Sequence, residues 1–200
     1  MKDFFSLYDK VLHFSLLAQD ADQRGFEYNR LLLIYLLVKA TEDIKGAIIE
    51  LGAYRGGTGY MMASITNKQV YLLDTFEGLP VPTGNDKVYQ AGKLKAEVQE
   101  VYRLCNLSNI LVMKGLFADV FKVFKKDVNF SFIHLDADLY QSTKEGIEWA
   151  YPKLSKGGVV VIDDYYDTGG GAKKAIDEYF KDKDVKKMKG FRPQLILFKE

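Results

Sequence analysis

The sequence predicts an α/β fold in which a parallel, doubly wound sheet is covered by helices on both faces. From residue 46 onward, short apolar runs alternate with amphipathic stretches, a pattern typical of strands that alternate with helices. The run Val159-Val160-Val161-Ile162 contains no polar residue, so this strand must be covered on both sides. Buried strands joined by helices favour parallel pairing.

Each element follows from the same periodicity. Two helices come first, over residues 4–18 and 28–40, where apolar side chains recur at helical spacing. The predicted strands span residues 46–51, 69–74, 109–113, 130–136, 158–162 and 194–199. The helices between them span residues 60–65, 93–105, 118–124, 143–154 and 171–180. We expect the mixed-sign stretch 181–187 to be a solvated surface.

Length and composition point to one soluble domain over residues 1–200, with N-terminal helices over 1–42 as a candidate lid and the sheet over 46–200. The formal net charge is +1, whereas a nucleic-acid or anionic-membrane binder would need a basic excess, so neither partner is expected. The longest apolar run, residues 31–38, is far shorter than the roughly 20 residues of a membrane span. The amino terminus lacks signal-peptide features and the single cysteine, Cys105, has no disulfide partner, so we expect a cytoplasmic protein.

The first predicted strand runs into a turn with four glycines, at positions 52, 56, 57 and 59. A dinucleotide fingerprint that begins at Gly52 needs glycine where Tyr54 stands, and a Walker loop needs lysine where Thr58 stands. Glu50 lies two residues before Gly52 and could attract a cationic ligand, while glycine backbone allows close approach. A βα turn without a ligand is the alternative.

Acidic residues follow three of the predicted strands. Asp74 ends the second strand, a position that suits an acid binding ribose hydroxyls. Asp136 and Asp138 follow the fourth strand, and Asp163 and Asp164 follow the fifth. If these two strands are parallel neighbours, about 4.8 Å apart, the four carboxylates meet in one crevice. A hard divalent cation, Mg²⁺ or Ca²⁺, would relieve the repulsion, although each aspartate pair could instead cap a helix or turn.

An ordered set of motifs spans residues 46–175. After the E-x-G-x-x-x-G turn at Glu50 come Asp74-Thr75-Phe76-Glu77-Gly78-Leu79-Pro80, His134-Leu135-Asp136-Ala137-Asp138-Leu139-Tyr140-Gln141-Ser142-Thr143, Tyr151-Pro152-Lys153-Leu154 and Gly157-Gly158-Val159-Val160-Val161-Ile162-Asp163-Asp164-Tyr165. The set resembles the macrocin O-methyltransferase (TylF-type) family of class I S-adenosylmethionine-dependent methyltransferases. The first motif is shared by many methyltransferases, but the ordered set is distinctive.

The resemblance implies a Rossmann-like class I methyltransferase fold, mostly parallel with an antiparallel last strand and a short N-terminal helical segment. It implies S-adenosylmethionine as the methyl donor, Mg²⁺ as the metal and a sugar-like or natural-product hydroxyl as the small-molecule acceptor. Asp136, Asp163 and Asp164 would bind the metal, and Asp138 would be the base that takes the hydroxyl proton. The expected cofactor-binding positions are Glu50, Gly52, Ala53, Tyr54, Gly56, Thr58, Asp74, Thr75, Phe76 and Asp136.

Two other functions stay open. A catechol-type O-methyltransferase uses a similar sheet and a similar aspartate site for Mg²⁺, although the segment 74–80 argues against it. A binding protein on the same fold that has lost turnover would be expected to lose its crowded acids, and all four are present. Family members tend to be longer and to carry a lid over the acceptor, so no particular macrolide or aminocoumarin is predicted. Apolar residues within 4–14 make a homodimer a further hypothesis.

Several remaining residues receive a structural interpretation. His134 is expected to be a packed or hydrogen-bonded histidine, and Cys105 a buried helix residue. Tyr54 and Arg55 are candidates for cofactor contact. The glycines at 169–171 are expected either to form a flexible loop before the next helix or to gate the acceptor.

Overall fold

A seven-stranded sheet organises the part of the chain that the structure, a computed structural model, describes: residues 21–191 and 193–200. The strands are β1 (Ala47–Leu51), β2 (Val70–Asp74), β3 (Ile110–Lys114), β4 (Phe130–Leu135), β5 (Leu154–Ile162), β6 (Lys186–Lys189) and β7 (Leu195–Phe198). Strands β1 to β5 run parallel, and β7 runs antiparallel to both β5 and β6. Their order across the sheet is β3-β2-β1-β4-β5-β7-β6. The mostly parallel, doubly wound sheet with an antiparallel last strand is therefore confirmed.

Helices connect the strands. They are α1 (Ala21–Ala40), α2 (Gly57–Ser64), α3 (Val98–Leu104), α4 (Phe117–Val120), α5 (Tyr140–Ala150) and α6 (Ala172–Tyr179), with 3₁₀ turns at Phe121–Val123 and Tyr151–Lys153. The helix predicted over 93–105 begins only at Val98, and Leu94 before it has a left-handed φ of 59°. The helix predicted over 4–18, and with it the apolar residues behind the homodimer hypothesis, lies outside the described residues. None of the helices described has the length and apolarity needed to cross a membrane.

Two apolar cores cover the two faces of the sheet, as the all-apolar strands require. Successive residues of β1 pack into different cores, because side chains alternate between the two faces of a strand. Ile48 lies in the first core and Ile49 in the second. The first core also takes the buried side chains of α1 and α2. The second takes those of α5 and α6.

The lysine-rich segment near the carboxyl end combines a confirmed prediction with a strand that was not predicted. Residues 181–187 are solvent-exposed apart from the half-buried Val185, as expected, and Lys186 begins an edge strand that pairs with β7. All four side chains of β6 are exposed, so their pattern carries no alternation for sequence reading to detect. Lysine on an exposed edge strand discourages pairing with other chains.

The strand order places a crevice at the carboxyl ends of β1 and β4. From β1 the chain goes on to β2 on one side, whereas β4 and β5 lie on the other side. At such a switch point the loops leave in opposite directions and open a crevice.

Candidate active site

A cavity of about 600 Å³ lies at this crevice, a size that suits a cofactor or small ligand. The loops after β1, β2, β4 and β5 line it, and α1 contributes a further wall. It brings together eleven residues predicted for the site: Glu50, Gly52, Ala53, Tyr54, Thr58, Asp74, Thr75, Asp136, Asp138, Asp163 and Asp164. Two predicted cofactor residues are not part of its lining: Gly56 precedes α2, and the side chain of Phe76 is buried in the core.

Position 52, in the turn after β1, requires glycine. Its φ is 96°, and a Cβ built there would lie 1.8 Å from the carbonyl oxygen of Asp136. Any side chain would therefore separate the ends of β1 and β4. The tight crossing keeps the backbone of the turn and the acids after β4 in one cavity.

Glu50 lies beneath this turn and is 2% exposed. His134, its register neighbour on β4, places Nδ1 2.9 Å from Glu50 Oε1, which confirms a hydrogen-bonded role for this histidine. Burial raises the pKa of Glu50, while the contact with His134 opposes the rise. Glu50 Oε2 has no hydrogen-bond partner among the described residues. A buried acceptor that lines the cavity fits a cationic group such as an ammonium.

Asp74, at the end of β2, is held by the backbone. Tyr54 N–H donates to Asp74 Oδ2 at 2.8 Å, and Phe76 N–H donates to Oδ1 at 2.7 Å. Burial raises the pKa of Asp74 and the two N–H groups lower it. Both donors have left-handed backbone, with φ of 46° at Tyr54 and 57° at Phe76. The two turns therefore fix the carboxylate at the cavity wall, where hydroxyl groups could donate to its free lone pairs.

The acids after β4 and β5 meet as predicted, but they divide into two pairs. Ligand atoms of His134, Asp136 and Asp163 all lie within 4.8 Å of one another. Asp164 lines the same cavity, and its Oδ2 accepts a 3.2 Å hydrogen bond from the N–H of Asp138. Asp163 is buried, and its Oδ1 has no hydrogen-bond partner among the described residues. A buried, partnerless carboxylate oxygen beside a second carboxylate fits a hard divalent cation.

Asp138 occupies a strained turn. Its φ is 55°, and the N–H of Leu139 donates to the carbonyl of Ala137 at 2.5 Å, so three residues form a γ-type turn. Such strain is concentrated at functional sites. Burial first, and then the charge of Asp136, raise the pKa of Asp138 to about 7. A carboxyl group with a pKa near neutrality suits a general base.

Two residues that act on the acids of the site from other elements, Arg30 and Tyr89, were not predicted from the sequence. Arg30 of α1 forms an ion pair with Asp163 and lies 3.4 Å from Asp136 Oδ2. In the loop after β2, the hydroxyl of Tyr89 donates to Asp167 Oδ2 at 2.9 Å and lowers the pKa of Asp138. Neither residue belongs to a motif, and a basic residue in an apolar helix was the one signal that Arg30 offered.

Asp86 fastens the same loop. This buried carboxylate accepts hydrogen bonds from the N–H of Tyr140, which begins α5, and from the N–H of Gly171. A Cβ at Gly170 would lie 2.8 Å from the carbonyl oxygen of Asp138 and 2.9 Å from the ring of Tyr89. The glycine segment 169–171 is therefore packed against the loop and the base. This close packing explains the glycine run, which sequence reading interpreted as a flexible loop or a gate.

Fold and site together define a class: a Rossmann-like class I methyltransferase fold with a cavity at its switch point. The family model described as macrocin-O-methyltransferase (TylF) matches residues 34–189. The chain belongs to this family, and the resemblance read from the motifs is confirmed.

Two curated relatives are similar to this chain over part of their length. Demethyldecarbamoylnovobiocin O-methyltransferase of Streptomyces niveus is 29% identical over 157 residues, which cover 68% of this chain and 59% of the relative. The 8-demethyl-8-(2,3-dimethoxy-alpha-L-rhamnosyl)-tetracenomycin-C 4'-O-methyltransferase of Streptomyces olivaceus is 28% identical over 144 residues, 62% of this chain and 54% of the relative. The matched part is thus less than two thirds of either relative. The structure of the O-methyltransferase NovP superposes with a TM-score of 0.78 at 25% identity, over 86% of this chain and 80% of that chain.

Proposed function

We propose that this protein is an S-adenosylmethionine-dependent and Mg²⁺-dependent O-methyltransferase that acts on a hydroxyl of a sugar or a glycosylated natural product. One observation carries the proposal: a single cavity joins a buried carboxylate under a glycine turn, a ribose-type acid after β2 and a cluster of acids after β4 and β5. Membership of the macrocin-O-methyltransferase family supports it.

The first part of the cavity would hold the methyl donor. Glu50 supplies a partnerless buried oxygen for an ammonium group, and the backbone at Gly52 allows the donor's amino-acid part to lie close. Asp74 is oriented by two N–H groups and would accept hydrogen bonds from ribose hydroxyls. These contacts would set the direction of the sulfonium methyl, and positioning is a large part of methyl transfer.

The second part would hold the metal and the acceptor. Asp136, Asp163 and Asp164 offer carboxylate oxygens, and a bound Mg²⁺ would lower the pKa of an acceptor hydroxyl. Asp138 would take the hydroxyl proton, the oxygen would form its bond to the methyl carbon, and the bond from that carbon to sulfur would break. The γ-type turn fixes the backbone of Asp138. The N–H of Asp138 donates to Asp164, and this hydrogen bond links the proposed base to a proposed metal ligand.

The acceptor class follows from the family and the names of its members. One relative is named for demethyldecarbamoylnovobiocin and another for a rhamnosyl derivative of tetracenomycin C. Both names indicate O-methylation of natural products, so we infer a similar hydroxyl here. The homodimer and the cytoplasmic location stay predictions.

Isothermal titration calorimetry with S-adenosylhomocysteine and Mg²⁺, followed by turnover assays, tests the proposal. We expect Asp163→Asn to weaken Mg²⁺ binding at least tenfold, because a charged ligand is lost. Asp138→Asn should lower turnover about 10²-fold or more while both affinities stay within about threefold, because the base acts only in the reaction. Asp119→Asn is the matched control, because this exposed aspartate pairs with Lys122 and is not part of the cavity lining.

The outcomes separate the competing functions. Failure to bind either S-adenosylmethionine or S-adenosylhomocysteine would exclude a methyltransferase. Binding without turnover on any acceptor would favour a binding protein on this fold. A panel of catechols, nucleotide sugars and glycosides, with methylated products identified by mass spectrometry, decides between the catechol-type and the sugar-type enzyme.

A further inference from the structure

The guanidinium of Arg30 lies among the acids that would bind the metal. Its Nη1 contacts Oδ2 of Asp163 in an ion pair and lies 3.4 Å from Oδ2 of Asp136. The side chain of Arg30 is 14% exposed and that of Asp163 is 3% exposed, so this contact is shielded from water and salt. Breaking a pair this buried leaves an uncompensated charge, which costs more than breaking a surface salt bridge.

The helix that carries Arg30 is anchored in the core. Leu31, Ile34 and Val38 of α1 are each at most 4% exposed and pack in the first apolar core. Arg30 is thereby held beside the cavity, although 106 residues separate it from Asp136 in sequence. The backbone cannot withdraw without breaking this packing, so any change in the contact must come from the arginine side chain.

Electrostatics explains why a cation stands here. Asp136, Asp138, Asp163 and Asp164 share one cavity, and mutual repulsion disfavours four charged carboxylates. Among the described residues, Arg30 is the basic residue that forms ion pairs with these acids. It neutralises part of their charge when no metal is bound.

We propose that Arg30 is a built-in counter-ion that competes with the divalent metal for Asp136 and Asp163. The inference rests on the proposed function. A divalent ion held by these two acids would share their carboxylates with the guanidinium, and two cations beside one pair of carboxylates repel each other. Metal binding and the Arg30 contact therefore oppose each other, and the apparent affinity for the metal is reduced to the extent that Arg30 holds the acids.

The competition must work in both directions. If Arg30 weakens metal binding, the metal weakens the hold of the acids on Arg30 by the same factor. Metal loading would then free a guanidinium at the cavity wall. Reaction with phenylglyoxal, followed by mass spectrometry of the peptide that contains Arg30, reports this release in the wild-type chain.

Calorimetric titration of Mg²⁺ into wild type, Arg30→Gln, Arg30→Lys and Lys39→Gln tests the proposal. Lys39 is nine residues later on the same helix, and its Nζ donates to the carbonyl of Ile65, so its variant removes the same charge about 13 Å away. We expect at least tenfold tighter binding in Arg30→Gln, an intermediate affinity in Arg30→Lys, and wild-type affinity in Lys39→Gln. Mg²⁺ should also speed the reaction of Arg30 with phenylglyoxal in the wild-type chain. This second measurement tests the competition even if Arg30→Gln does not fold.

Two outcomes would overturn the proposal, and they are distinguishable. Equal or weaker Mg²⁺ binding in Arg30→Gln, with unchanged phenylglyoxal reactivity in wild type, would remove the competition and leave the proposed metal site intact. Absence of Mg²⁺ binding to any of the four proteins would remove the metal site itself, and this inference with it.

Discussion

Burial raises the pKa of Cys105 and of Asp138, with opposite consequences for their reactivity. Both pKa values are raised because the charged form is poorly solvated. For Asp138 the rise brings the pKa to about 7, where a base is useful. For Cys105 it brings the pKa to about 12, which makes the thiol inert, as the expected structural role implies.

Cys105 should resist thiol reagents in the folded protein. Its Sγ lies 3.6 Å from the carbonyl oxygen of Gly56, behind the glycine turn. The raised pKa keeps the thiol protonated at pH 8, and only the thiolate attacks, so native protein should react with DTNB at least tenfold more slowly than protein in guanidinium chloride. The rate should rise steadily as the pH is raised from 7 to 9, because a larger fraction of the thiol ionises. Fast stoichiometric reaction of the native protein at pH 8 would contradict the assignment.

At the scale of elements, the loop between β2 and α3 acts as a strap across the cavity. Asp86 ties it to the start of α5 and to Gly171, and Lys87 N–H donates to the carbonyl of Gly169. These bonds join three segments that follow different strands. They hold Tyr89 beside Asp138 and so support the candidate base.

Asp86→Ala should destabilise the protein by about 2–4 kcal/mol, because it leaves the buried N–H of Gly171 and the partly buried N–H of Tyr140 without their acceptor. Urea unfolding measures the free energy, and limited proteolysis within residues 79–92 should become faster. Lys87→Ala is the matched control, since its exposed side chain is removed while its backbone hydrogen bond remains. A loss below about 0.5 kcal/mol in Asp86→Ala would show that the strap is held by other contacts.

At the scale of the whole molecule, the sheet collects ligand groups from β1, β2, β4 and β5 at one edge. A ligand that fills this crevice contacts loops on both sides of the switch point. Its binding energy therefore adds to the stability of the entire sheet.

S-adenosylhomocysteine should raise the melting temperature of the chain. At a hundredfold excess over its dissociation constant the stabilisation is about 2.7 kcal/mol, or roughly 5–10 °C for a chain of this size. Differential scanning fluorimetry measures the shift. NAD and ATP are the matched controls, because the turn lacks the glycine and the lysine that their motifs require at Tyr54 and Thr58. An equal shift with either nucleotide would contradict the assignment of the turn.

Periodicity was sufficient for most of the sheet, because the central strands are buried on both faces and contain almost only apolar residues. The strand β6 was missed since its exposed lysines carry no such pattern. The acids at the ends of β4 and β5 could be predicted to meet because parallel neighbours end at the same edge. The start of α3 at Val98 could not be predicted, because the left-handed backbone of Leu94 precedes it and leucine does not indicate such a conformation.

The sequence by itself determined the sheet, the family and the acids of the candidate site, because these depend on local periodicity and on motifs that are continuous in the chain. Only the tertiary structure decided how those acids are used. It paired Asp138 with Asp164, fastened the strap through Asp86, and placed Arg30 against Asp136 and Asp163. These contacts join segments far apart in sequence, and their strength depends on burial, which no single residue type encodes.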